Sequence, residues 1–140
     1  MVTEKFPMTI GDEEVINEHL LLAYNEDGKM MDSPQSVRFL VIHCSATKCN
    51  RNYTEKQLLR DQKARGFRTV GYHFYCRKDG SLTQFRKLLE VGAHARPYNR
   101  CSIGICYEGG LDEEGRPANT LTHAQYRVIR HLLLQLKILF

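Results

Sequence analysis

The 140-residue sequence has no apolar run of the roughly 18 residues a bilayer-spanning helix needs, no internal repeat and no low-complexity tract. Membrane insertion and a repeat array are thereby excluded as expectations. Its first residues, MVTEKFPMTIGDEEV, set Glu4, Pro7 and an acidic run where a secretion signal needs a basic start and an apolar core. That predicts a chain that is cytoplasmic as encoded, or one exported by a route not written in it. Five cysteines (Cys44, Cys49, Cys76, Cys101 and Cys106) are an odd number and contain no CxxC pair. Complete internal pairing is impossible, and reduced thiols are expected. The strand-like neighbours of Cys44, Cys76 and Cys106 suggest small buried hydrophobes. There is no Gly-x-Ser-x-Gly elbow, no HExxH and no Walker loop. Cys44 adjoins His43, but neighbouring strand residues face opposite ways, which argues against a thiol–imidazole dyad from that pair.

What is present reads as a single globular domain: 42% hydrophobic and 26% charged residues, in a chain long enough to bury a core. The net charge of +4 hides an asymmetry. Residues 1–36 carry eight acids against two bases, whereas residues 37–140 carry eighteen bases against eight acids. The first segment is expected to be an acidic appendage with one helical patch, Glu13–Tyr24; the second is the main domain. A basic body suits an anionic partner, whether nucleic acid, lipid or cell-wall polymer. No recognition helix or stacking motif accompanies the charge, and the arginines are scattered over several elements, so no nucleic-acid partner is expected.

Val37–Ile42 is a nearly continuous, β-branched apolar run and predicts a strand buried on both faces. Thr54 and Gln57 form a capping box that starts a helix running to about Arg65 and stopping at Gly66. Val70–Cys76 predicts a second strand, Lys78-Asp79-Gly80-Ser81 a hairpin turn, and Leu82–Arg86 the returning strand. Ser102–Tyr107 predicts a fourth strand ended by Gly109-Gly110. Thr122 and Gln125 form a second capping box, after which Tyr126, Ile129, Leu132, Leu133 and Leu136 recur at helical spacing. Strands interleaved with two helices predict an α/β fold with a mixed central sheet and helices packed on it.

Histidines are the natural candidates for chemistry. His43 follows the first strand, a position where open α/β sheets place ligands and where an imidazole is rigidly aimed at a metal; taken alone, a strand-capping histidine is the commoner reading. In Gly71-Tyr72-His73-Phe74, alternation puts Tyr72 and Phe74 on one face and His73 on the other. Tyr72 could donate a hydrogen bond to a developing oxyanion, although a core tyrosine with its hydroxyl at the edge is commoner. His94 lies in a loop of small residues, Gly92-Ala93-His94-Ala95, with Asn99 close behind, which lets backbone and imidazole approach a ligand. His19, His123 and His131 have no metal-like partner four residues on and carry no assignment.

Taken in order, Val41-Ile42-His43-Cys44-Ser45-Ala46-Thr47, Gly71-Tyr72-His73-Phe74, Lys78-Asp79-Gly80, Gly92-Ala93-His94-Ala95, Asn99, Ser102-Ile103-Gly104-Ile105 and Gly109-Gly110 resemble the type 2 N-acetylmuramoyl-L-alanine amidases. That family includes amidase-type phage lysozymes and peptidoglycan recognition proteins, and the resemblance covers residues 37–140. It implies a mixed sheet flanked by helices, peptidoglycan as partner, and hydrolysis of the amide between N-acetylmuramic acid and L-alanine. It also implies a zinc ion held by two histidines and a cysteine, with water in the open position. His43 matches the first metal ligand and Tyr72 the assisting tyrosine; His73, His94 and Asn99 match residues that line or support the substrate groove. The family's second histidine ligand, its basic catalytic residue and its cysteine ligand follow the last helix, and no residue here matches them. Three expectations follow: a fragment of a longer active amidase, which we favour; a non-catalytic peptidoglycan-binding module; or a site completed by substitute ligands such as His94 or by a partner chain.

Overall fold

The computed structural model describes residues 30–140; the expected helix over Glu13–Tyr24 lies outside the described residues. Among the described residues, six strands and two α-helices follow in chain order: β1 (Phe39–Cys44), β2 (Thr47–Lys48), α1 (Glu55–Ala64), β3 (Phe74–Cys76), β4 (Leu82–Gln84), β5 (Ser102–Tyr107), β6 (Gly110–Leu111) and α2 (His123–Leu139). The main sheet has the order β1-β5-β3-β4. β5 runs parallel to both β1 and β3, and β4 is antiparallel to β3 across the Asp79-Gly80 turn, so the sheet is mixed as expected. A second, two-stranded parallel sheet of β2 and β6 was not anticipated, because two residues per strand leave no periodicity to read.

Both helices begin on the expected caps. Gln57 and Thr54 exchange side-chain-to-backbone bonds of 3.2 and 2.9 Å, and Gln125 and Thr122 do so at 3.0 and 2.9 Å. Each such cap contributes about 1 kcal/mol. Gln125 is also buried, and its amide donates to the carbonyls of Cys76 and Glu108, tying the start of α2 to the sheet. α1 ends at Gly66, whose φ of +96° is left-handed and favours glycine.

The helices cover opposite faces of the sheet. Ile129, Leu132 and Leu136 of α2 pack with Phe74, Cys76, Ile103 and Ile105. Leu58 of α1 packs with Val70, Tyr75 and Cys106 on the other side. Glu108, just past β5, is buried and accepts from Tyr53 N (2.6 Å), Lys78 N (2.8 Å) and Arg77 Nε (2.9 Å). Burial alone would raise its pKa, but Arg77 and the two amides hold it below the ordinary carboxylate range.

Several expectations need correcting. β1 is the edge strand rather than a strand buried on both faces: Phe39 and Ile42 are 45% and 47% exposed. Phe39 and Ile42 point to opposite faces, so neither face of β1 is fully covered. His43 lies within β1, one residue from its end, not beyond it. β3 starts only at Phe74, because residues 71–73 bend to meet other partners: Gly71 N donates to Gln62 Oε1, and Gly71 O accepts from Ala93 N. That bend breaks the alternation, so Tyr72 packs on the α1 face while Phe74 packs on the α2 face. Met31 is buried among the core residues, and its backbone N donates to Leu89 O. Cys76 and Cys106 are buried, but Cys44 is only partly so.

Candidate functional site on the face of the sheet

β5 alternates small and large residues. Ile103 and Ile105 face α2, so Ser102, Gly104 and Cys106 face the α1 side. Each of these three small residues meets one member of an imidazole–phenol cluster.

His94 arrives on the loop between β4 and β5, where Asn99 Oδ1 accepts from both His94 N and Ala95 N at 2.9 Å. The His94 ring lies against Gly104: a Cβ there would stand 2.7 Å from ring atoms, and a Cβ on Gly92 would stand 2.7 Å from Cδ2. His94 Nδ1 is 2.9 Å from His43 Nε2, and His94 Nε2 is 3.2 Å from Ser102 Oγ. His43 sits opposite Cys106 across the β1–β5 ladder. Tyr72 completes the group, its ring centroid 5.2 Å from that of His43 and 6.5 Å from that of His94, with its hydroxyl paired to the Cys106 thiol.

All the ring groups are held neutral. Burial pushes His94 down to about 3, helped by the neighbouring His73 and His43 imidazoles, and burial also lowers His43. Burial raises the Tyr72 phenol, so it stays a hydrogen-bond donor at any ordinary pH. The arrangement can therefore accept and donate hydrogen bonds but offers an incoming group no charge of its own. Charge lies alongside: a cavity of about 320 Å³ is walled by Arg68, Arg86 and Arg100 and shares Gly92 and Ala93 with the His94 loop. Arg68 and Arg86 both pair with Glu90, and Arg86 also donates to the Val70 and Val91 carbonyls.

The structure brings together His43, Tyr72 and His94. His73 and Asn99 stand behind them. His73 is fully buried; its Nδ1 accepts from Gly104 N at 3.1 Å, and its Nε2 meets Glu90 O at 2.6 Å. Both ring nitrogens of His73 are taken by backbone, and its ring centroid lies 6.0 Å from that of His94. Asn99 shapes the His94 loop through its two amide bonds. His123 and His131 lie on α2, away from the cluster. Sequence reasoning assigned no role to Ser102 or Cys106. The usable signal was the small–large alternation Ser-Ile-Gly-Ile-Cys, which marks one strand face as room for something other than core.

The resemblance implies zinc, so the donor set matters. Catalytic zinc takes three protein ligands. Among the described residues, no group of three or more His, Cys, Asp or Glu side chains is placed to hold a metal ion. His43 and His94 supply two imidazoles whose facing nitrogens are bonded to each other. The described residues thus fall short of a zinc site, and no chemical step is assigned through the metal.

A mixed sheet covered by a helix on each face, with a histidine–tyrosine cluster beside β5, defines an α/β domain, and comparison narrows this to a family. Residues 33–139 match the N-acetylmuramoyl-L-alanine amidase family, and the chain belongs to it. It is 38% identical over 104 residues to the endolysin of Klebsiella phage KP32, covering 74% of this chain and 69% of that protein. It is 38% identical over 102 residues to the endolysin of Escherichia phage T7, covering 73% and 68% respectively. Among solved structures it resembles the endolysin N-acetylmuramoyl-L-alanine amidase LysCS of Clostridium intestinale, with a TM-score of 0.58 and 29% identity over 73% of this chain and 64% of that one. The fold is also that of Drosophila peptidoglycan recognition protein SD, with a TM-score of 0.64 at 24% identity, covering 79% of this chain and 65% of that one. The chain therefore spans about two thirds of the length of these relatives.

Proposed function

We propose that this chain binds peptidoglycan at the junction of N-acetylmuramic acid and the L-alanine of the stem peptide, as part of a zinc-dependent amidase that hydrolyses that amide. The observation that carries this reading is the convergence of His43, Tyr72 and His94 on one face of β5 in a member of the amidase family. Tyr72, kept protonated, donates to the oxygen of the bound amide. His94 meets the same group from the other side, with Asn99 and His73 holding it in place. The arginine-walled cavity supplies attraction for the carboxylates of a stem peptide. His43 is the one metal anchor we assign, and the remaining donors come from outside residues 30–140.

The short donor set also favours a second reading, a peptidoglycan-binding module that does not cut. Purified sacculi incubated with the 140-residue protein and zinc separate the two. The expected result is co-sedimentation with the wall, little bound zinc and no release of stem peptide, with release appearing once the missing donors are supplied by a longer chain. Binding with no release from any longer form establishes the module. Failure to co-sediment refutes both readings, and zinc near one per chain by elemental analysis refutes the incomplete donor set.

A further inference from the structure

We propose that Ser102 is a positioning residue that holds His94 in its Nε2–H tautomer, so that the bare Nδ1 faces the site as a hydrogen-bond acceptor. The assignment rests on counting protons along one chain of contacts. Ser102 Oγ has a single proton and lies 2.7 Å from Tyr98 O, against 3.2 Å from His94 Nε2. A carbonyl can only accept, and the shorter contact takes the proton. Ser102 Oγ is then an acceptor toward His94, and His94 must donate from Nε2. A neutral imidazole has one N–H, so Nδ1 carries a lone pair. Nδ1 lies 2.9 Å from His43 Nε2, and His43 therefore donates to it.

A half-turn of the ring would put carbon where Nδ1 and Nε2 now stand and lose both contacts, and tilting out of plane is blocked. Gly104 lies beneath it and Gly92 at its edge, both at distances that leave no room even for a Cβ. Asn99 fixes the backbone at the base of the ring through two amide bonds. The glycines thus set the plane of His94 and Ser102 sets its tautomer. A buried, fully occupied serine at this point does more than fill space: it transmits the direction of the Tyr98 carbonyl through one hydroxyl to the far side of an imidazole.

The consequence for recognition rests on the peptidoglycan reading. A ligand that takes the place of the His43 N–H at His94 must bring a donor of its own. An amide N–H, as at the muramyl–alanine junction, satisfies that requirement; an ester oxygen does not.

The tautomer is readable in the 140-residue protein without metal or wall polymer. Long-range proton–nitrogen NMR correlation on ¹⁵N-labelled protein should show His94 protonated at Nε2 and bare at Nδ1. Ser102→Ala should give a mixture of the two tautomers, and Ser102→Thr, which restores a hydroxyl, should return the single form. A proton on His94 Nδ1 in the unsubstituted protein overturns the proposal, as does an unchanged tautomer in Ser102→Ala. If Ser102→Ala does not fold, the unsubstituted and Ser102→Thr spectra still decide. Binding of a soluble muramyl tripeptide should weaken about fivefold in Ser102→Ala and recover in Ser102→Thr. Absence of tripeptide binding in all three proteins, with the tautomer as assigned, refutes the wall-ligand reading alone.

Discussion

The two faces of β5 do different work with the same backbone. Toward α2, Ile103 and Ile105 are buried against Phe74, Leu132 and their neighbours, and what they contribute is burial. Toward the site, Ser102, Gly104 and Cys106 bring almost no apolar area, and what they contribute is position: one orients the His94 ring, one makes room for it, and one meets Tyr72. The contrast teaches that stability and site geometry are carried by alternate residues of one strand, so each can be disturbed with the other as its control.

The largest effect is expected on the core face. Ile105→Ala leaves a cavity between the sheet and α2 and should cost about 4 kcal/mol of unfolding free energy, read from urea denaturation. The His94 tautomer of the molecules that remain folded should not change. A changed tautomer would mean that the two faces are mechanically coupled and that the division just drawn is false.

Gly104→Ala comes next and tests the other face. Its Cβ would stand 2.7 Å from the His94 ring, so the ring or the strand must move. The cost should be about 2 kcal/mol, smaller than for Ile105→Ala, because the ring borders a half-open site rather than the core. The hydrogen bond between His43 and His94 should nevertheless disappear, which ring-nitrogen chemical shifts would report. An intact bond with unchanged stability would show that the loop carrying His94 yields freely.

How much of this could be read before the fold was known follows the range of the signals. The capping boxes at Thr54 and Thr122, the Asp79-Gly80 turn and the glycine stop at Gly66 are local, and each appears where the sequence places it. Membership of the amidase family was legible because its motifs keep their order along the chain. The edge position of β1 was not legible, since an apolar strand looks alike whether one or both of its sides are covered. The facing of Tyr72 was misread because the bend over residues 71–73 is caused by Gln62 and Ala93, which are remote in sequence. Ser102 escaped notice for the same reason: its role depends on His94 and Tyr98 closing around it, and a serine opening a strand has many commoner explanations.

The last effect is graded rather than abrupt, and it lies where the two faces are joined. Gly104 N, on β5, donates not to a strand carbonyl but to Nδ1 of the buried His73, because β3 has already bent away at that point. A proton on that nitrogen would set two donors against each other. Burial pushes His73 down to about 4 from its usual 6.5, with the Arg86 charge adding to the fall and the Glu90 carbonyl opposing it. Above about pH 6.5 the ring is neutral both folded and unfolded and contributes no pH dependence. Between that value and about 4 the unfolded chain binds a proton that the folded chain refuses, so stability is lost as pH falls. His73 alone should remove about 1 kcal/mol per pH unit in the middle of this window and less at its edges. His94 and His43, also lowered, act in the same direction, and the depressed carboxyl of Glu108 adds its share only at lower pH. Urea midpoints at about pH 7, about pH 6 and about pH 5 should fall in sequence, for the unsubstituted protein and for Ile105→Ala alike. A flat profile would mean that His73 accepts a proton while folded, and that the amide of Gly104 is held by something other than its ring.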